Sequence, residues 1–217
     1  MTSPYCPPPL SHPDIAYHDE HLLIVGKPSG LLSVPGRGPE KTDCLVSRLQ
    51  ARFPGALIVH RLDMETSGLM VLALTADIHR ALSRQFENRV VEKRYIARVA
   101  GVPDLTEGRI DLPLMKDWPN RPLQKVDKDA GKPSVTEWRL LAREEGAARL
   151  ELTPLTGRTH QLRVHLNAIG HPLLGDLLYG TPKSRAGAPR LQLHASTLGF
   201  AHPVTGEALL LHSRTPF

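Results

Sequence analysis

Apolar positions along this chain fall mostly into short runs with period-two or continuous hydrophobicity, separated by polar, glycine- or proline-containing turns. Residues 15–18 and 22–26 read as two short strands joined at Asp19-Glu20. Residues 56–59 and the apolar run 69–74 are two more strand-like segments, with a polar loop between them. Glu92 to Ala100 alternates, with Lys93, Tyr95, Ala97 and Val99 on one side and Arg94, Ile96 and Arg98 on the other. Residues 135–143 and 147–153 predict a hairpin turning at Glu144-Glu145-Gly146, and 191–202 with 207–213 a closing hairpin. Helical spacing is rarer. It predicts a helix over 44–52 capped by Thr42 or Asp43, and one from a cap at Thr75 or Asp77 to about Asn88 with Ile78, Leu82 and Phe86 inward. A third runs from His160 to about Ile169 on a stripe of Leu162, Leu166 and Ile169, stopped by Gly170 and Pro172. Residues 103–133 are polar and punctuated by proline, too long for a plain connection, and favour a functional loop or short ribbon. Many strands with about three helices, not strictly alternating, give an α+β class with a mixed sheet.

Length adds that the 217 residues suffice for one large domain or two lobes sharing a core. Five prolines within the first thirteen residues make 1–13 an arm, extended on the surface or partly disordered, and leave 14–217 as a single domain. The hydrophobic fraction of 41% and charged fraction of 23% are those of a soluble globular protein. No signal peptide, lipidation pattern or long apolar run occurs, so a cytoplasmic protein without membrane partners is expected. The net charge of +5 suits a polyanionic partner. Only ten residues are aromatic, which favours a partner read by shape and charge over one read on sheets of stacking rings. Cys6 and Cys44 are too few for a disulfide framework or zinc site, and the eleven histidines are scattered without a ligand spacing, so no metal is expected.

The chemistry concentrates in one stretch, Val59-His60-Arg61-Leu62-Asp63-Met64-Glu65-Thr66-Ser67-Gly68. Asp63 sits in a loop at a strand end, where turn formers redirect the chain and a reacting side chain is held without being buried inside a strand. An Asp at such a place also commonly does no more than bond the loop backbone. The whole pattern His-Arg-Leu-Asp-x-x-Thr-Ser-Gly, followed by an apolar strand, resembles the signature of the RluA-type RNA pseudouridine synthases. So do Lys27-Pro28-Ser29-Gly30-Leu31, Tyr95-Ile96-Ala97, the run 156–165, Gly170-His171-Pro172-Leu173-Leu174-Gly175-Asp176 and Leu193-His194-Ala195, in the family's order. Asp117 to Arg121, with Gln124-Lys125-Val126, resembles the RluA branch in particular.

That resemblance implies a catalytic fold with a cleft between two lobes, no S4-type RNA-binding domain, and isomerisation of uridine to pseudouridine in RNA. The base is cut from the sugar at nitrogen, rotated and rejoined through carbon, so no cofactor is needed. It implies that Asp63 is the essential aspartate, as nucleophile or as base toward the ribose. Tyr95 would pack on the target base, Arg163 would neutralise Asp63, and Arg61 would fill the space of a flipped uridine. Arg158 and His160 are candidate contacts to phosphate or loop; a helix start satisfied by Thr159 is the plainer alternative. For Tyr95 and Arg163 the plainer alternatives are an inward strand aromatic and an ordinary helix-face arginine. His165, His171 and His194 read as structural hydrogen-bonding residues. The resemblance further implies stem-loops of 23S rRNA and the tRNA anticodon stem-loop as substrates, and a monomer. A non-catalytic RNA-binding module and a metal-dependent nuclease using His60, Asp63 and His160 are the two rivals.

Overall fold

The computed structural model describes residues 5–9 and 14–217. The chain divides into two compact units, one made of Met1–Glu92 with Ala195–Thr215, the other of Lys93–His194 with Pro216–Phe217. The architecture is α+β, with mixed, largely antiparallel sheet and few helices.

In the first unit β1 (Asp14–His18) and β2 (Leu22–Lys27) form the expected hairpin. β2 pairs in turn with β4 (Ser67–Ala73), whose far end also takes the short β3 (Leu57–Ile58). All seven residues of β4 are buried, which is why its sequence is a continuous apolar run and not an alternation. Beyond β4 lies β11 (Leu193–Ala201), which pairs antiparallel with β12 (Ala208–His212). Gly68 is required at the β4–β11 contact: its φ is +118° and a Cβ there would collide with the Ala195 backbone. Helix α2 (Ala76–Glu87) starts at Thr75, whose hydroxyl accepts from the Ile78 N–H, and its Ile78 and Leu82 complete a core with Leu22, Ile24, Leu69 and Val71. Phe86 stays half-buried and stacks on His60.

Helix α1 (Leu45–Gln50) departs from expectation at its start. Cys44 occupies the cap in a reciprocal arrangement with Ser47, and Asp43 instead forms a two-pronged ion pair with Arg48 at 2.6 and 2.7 Å. Of the proline-rich arm, residues 1–4 and 10–13 lie outside the described part. Residues 5–9 are tied down: Tyr5 donates to the Asp43 carbonyl and accepts from the Leu32 N–H, and Arg48 donates to the Pro8 carbonyl.

In the second unit β5 (Glu92–Ala100) pairs with β10 (Ala147–Pro154), β10 with β9 (Val135–Glu144), and β9 with β6 (Glu107–Asp111), all antiparallel. The long polar stretch therefore contains a sheet strand, β6, that its sequence did not announce, because only Ile110 of its five residues is buried. It also contains a separate two-stranded ribbon, β7 (Leu114–Lys116) with β8 (Gln124–Val126), as expected. The core gathers Ala97 and Val99 of β5, Trp138, Leu150 and Leu152 of the hairpin, and Leu162 and Leu166 of α3 (Gln161–Ala168). A short α4 (Pro182–Ala186), capped by Thr181, was not expected. Among the described residues no helix is long and apolar enough to cross a membrane.

Candidate active site

Asp63 is half-buried on the loop that enters β4, two residues after the exposed Arg61. The loop is held by the segment following β2. Lys27, only 2% exposed, donates from its ammonium to the carbonyls of Pro28 (2.8 Å), Leu31 (2.7 Å) and Met64 (2.9 Å). Ser29 donates to the Glu65 carbonyl at 2.7 Å, Ser33 to the Leu62 carbonyl at 2.7 Å, and the Gly30 N–H to the Met64 carbonyl at 2.9 Å. Carbonyls on both sides of Asp63 are thus fixed by groups from one neighbouring segment. The Asp63 carbonyl itself accepts from the Thr66 N–H at 3.1 Å, closing the turn. His60 Nε2 accepts from the Val71 N–H at 3.1 Å, so its ring serves the backbone.

The remaining predicted site residues belong to the second unit. Tyr95 sits on β5 opposite Leu152, half-buried against the core. Helix α3 is buried from Gln161 through Leu166, so Arg163 is no surface arginine: it is 3% exposed. Its Nε and Nη2 donate to the two carboxylate oxygens of Asp176, at 2.9 and 2.6 Å. Burial alone would raise the Asp176 pKa. The Arg163 hydrogen bond and charge, with N–H groups of Tyr179 and Leu178, outweigh that and hold it below the usual carboxylate range. The Nη1 edge of Arg163 takes no part in this pair.

Tyr179 then joins three elements. Its ring lies under the Arg163 guanidinium at 5.2 Å, its hydroxyl meets His160 Nδ1 at 2.7 Å, and it accepts from the Gln124 N–H at 2.8 Å. His160, at φ +54°, is the helix cap in place of the expected Thr159 and makes no side-chain capping bond; the Gln161 side-chain oxygen fixes the segment leading in, accepting from the Arg158 N–H and the Thr156 hydroxyl. The Arg158 side chain is exposed, and its Nε donates to the Pro133 carbonyl at 3.4 Å. His165 bridges Thr136 and the Leu112 carbonyl, and burial lowers its pKa, a structural part as expected. His171 likewise meets the Ala100 carbonyl.

Three residues had no assigned part in the sequence: Lys27 and Asp176, which lie within its motifs, and Tyr179, which lies outside them. A lysine ending an apolar strand before a proline, and an aspartate closing the apolar run Leu173-Leu174-Gly175, were signals that a buried charge had to be paid for locally. Tyr179 offered no such signal. Among the described residues no group of three His, Cys, Asp or Glu side chains could hold a metal ion. A carboxylate on a fixed loop, flanked by an exposed arginine, can act as nucleophile or as base toward a substrate brought to it.

Comparison with known proteins decides which chemistry this is. Residues 21–168 match the RNA pseudouridylate synthase family. The chain belongs to that family. This synthase is 50% identical over 214 residues to the dual-specificity RNA pseudouridine synthase RluA of Escherichia coli strain K12, covering 98% of each chain. It is 54% identical over 193 residues to the protein of that name from Yersinia pestis, covering 88% of this chain and 94% of the relative. Among solved structures it resembles human RNA pseudouridylate synthase domain containing 1, with a TM-score of 0.80, 31% identity, and coverage of 97% and 86%. The synthase is therefore an isomerase that converts uridine in RNA to pseudouridine. Neither the binding-module nor the nuclease reading is favoured, the latter also because His60 is committed to Val71 and stacked at 4.5 Å on Phe86.

Proposed function

We propose that this synthase modifies uridines in stem-loops of 23S rRNA and in the tRNA anticodon stem-loop, with Asp63 as the catalytic carboxylate. The observation that carries the substrate reading is 50% identity over 98% of the length of relatives named as dual-specificity enzymes. Asp63 either attacks the ribose or takes a proton from it while the uracil leaves through its nitrogen. The freed base turns and bonds through carbon as the ribose is released from Asp63 or regains its proton; that carbon then loses a proton and the freed nitrogen takes one up, so atoms in and atoms out are the same. Tyr95 packs on the base, and Arg163, its guanidinium oriented by Asp176, is the basic residue of the reaction. Arg61, exposed two residues before Asp63, fills the stack vacated by the uridine, offsetting an unstacking cost of a few kcal/mol. Arg158 and His160 contact phosphate at the start of α3. The enzyme works in the cytoplasm as a monomer without a metal ion.

Asp63→Asn tests the reading. Pseudouridine formation on an anticodon stem-loop transcript and on the rRNA stem-loop should vanish while RNA binding stays near wild type. Binding and turnover lost in equal measure would make Asp63 a positioning residue and not the reacting group.

A further inference from the structure

The β7–β8 ribbon carries a feature that the reaction at Asp63 does not use. Trp118, at its tip, is 56% exposed, whereas the other tryptophan, Trp138, is 8% exposed within the core. Two cations are drawn onto the exposed indole: Arg121, with Cζ 4.2 Å from the ring centre, and Lys116, with Nζ at 4.5 Å. Both are exposed, and among the described residues neither has a carboxylate partner. The nearest acid in sequence, Asp117, is occupied in shaping the tip. Its carboxylate accepts from the Asn120 side chain at 2.9 Å and its N–H donates to the Leu123 carbonyl at 3.0 Å. The ribbon is anchored right beside this tip, since the Gln124 N–H, opposite Lys116, donates to the Tyr179 hydroxyl. A flat aromatic with two uncompensated cations, on a ribbon fixed to the Arg163 helix, has the chemistry of a platform for a polyanion whose bases are accessible.

We propose that this tip binds an unpaired stretch of the substrate RNA, one base stacking on Trp118 and neighbouring phosphates neutralised by Lys116 and Arg121. The proposal rests on the reading that the chain modifies looped RNA. Base faces are closed inside a paired A-form helix, so the platform selects loops or splayed nucleotides and not duplex. Stacking of this kind tolerates any base, which fits an enzyme accepting more than one stem-loop.

Trp118 is itself the probe. The tryptophan fluorescence of the full-length protein is followed while an anticodon stem-loop, an all-uridine single strand, or a fully paired RNA duplex is added. The stem-loop and the single strand should quench it, the duplex far less, and Trp118→Phe should lose most of the quenching. Trp118→Ala should bind the stem-loop about 10-fold more weakly, with the loss in kcat/KM carried mainly by KM. Lys116→Gln with Arg121→Gln should flatten the slope of log affinity against log salt by about 1.4. Wild-type affinity in Trp118→Ala, in a protein with an unchanged circular dichroism spectrum, would overturn the proposal. So would quenching by duplex as strong as by single strand. The readouts separate the two claims. Turnover intact with no effect of Trp118→Ala removes the platform alone. Quenching and weakened binding without any pseudouridine removes the proposed reaction alone.

Discussion

Each unit of this synthase holds a buried cation at the place where its candidate chemistry is carried, and the two are satisfied differently. Lys27, in the first unit, gathers three backbone carbonyls, two from its own segment and one from the Asp63 loop. Arg163, in the second, meets one carboxylate through two parallel bonds. An ammonium is a compact point donor with three hydrogens to place, so it fixes main chain and is indifferent to the plane of its partners. A guanidinium is a planar fork, so pairing with Asp176 fixes the direction in which its other edge faces. One cation sets the path of a loop; the other sets the aim of a side chain. The charges are alike, and the work they do is not interchangeable.

The sharpest way to break the comparison is at the fork. Arg163→Ala leaves the Asp176 carboxylate buried and unpaired, and should cost about 3–5 kcal/mol in urea-induced unfolding at neutral pH, with severe loss of turnover. Arg163→Lys, which keeps the charge, should recover part of the stability and little of the activity. The pH dependence carries its own sign. Because the folded pKa of Asp176 is lowered, its stabilisation is complete above the unfolded carboxylate value of about 3.9 and is lost as pH falls through the folded value. The gap between wild type and Arg163→Ala should therefore narrow as unfolding is measured from pH 7 down toward pH 3. A constant gap would mean that the ion pair is not what the substitution removed.

The clamp should be the weaker break in stability. Lys27→Met removes a charge that was itself costly to bury, but strands three carbonyls, and should cost about 2–3 kcal/mol. Its informative effect is on turnover. If the carbonyl clamp positions Asp63, kcat falls well below wild type at temperatures where Lys27→Met is still folded. Wild-type kcat there would reduce Lys27 to a purely structural part.

These differences also explain what could be read from the sequence. Strands such as Glu92–Ala100 and helix α2 were legible because one face of each is buried, and burial on one face writes itself as a period of two or of 3.6. β6 was not, since it is an edge strand with four of its five residues solvated to some degree. The α1 cap was misplaced because Thr42 and Asp43 are better cap formers than cysteine, and the local ion pair of Asp43 with the helix residue Arg48 overrode that preference. At the site, Asp63 and Arg163 stood out by motif. The partners that fix Arg163, Asp176 and Tyr179, are thirteen and sixteen residues away on a turn, a spacing without any periodic signature. Lys27 hid for a related reason: hydrogen bonds to carbonyls need no particular partner residue, so no sequence pattern records them.

The smallest expected effect tests the opposite case, a polar group that the fold leaves unanswered. Thr66, 2% exposed in the Asp63 loop, donates its N–H to the Asp63 carbonyl, yet its hydroxyl is buried without a hydrogen-bond partner, alone in this among the described side chains. An orphaned buried hydroxyl costs about 1–3 kcal/mol, and valine has nearly the same shape and keeps the backbone N–H. Thr66→Val should therefore be as stable as wild type or more stable by about 1 kcal/mol, measured by thermal unfolding. Loss of stability would show that the hydroxyl has a partner such as an ordered water, and the loop would then resemble the fully satisfied surroundings of Lys27 and Arg163. A stabilised variant with reduced turnover is the more consequential outcome. The fold would then be tolerating an unmet hydroxyl three residues from Asp63 because the RNA, and not the protein, supplies its partner.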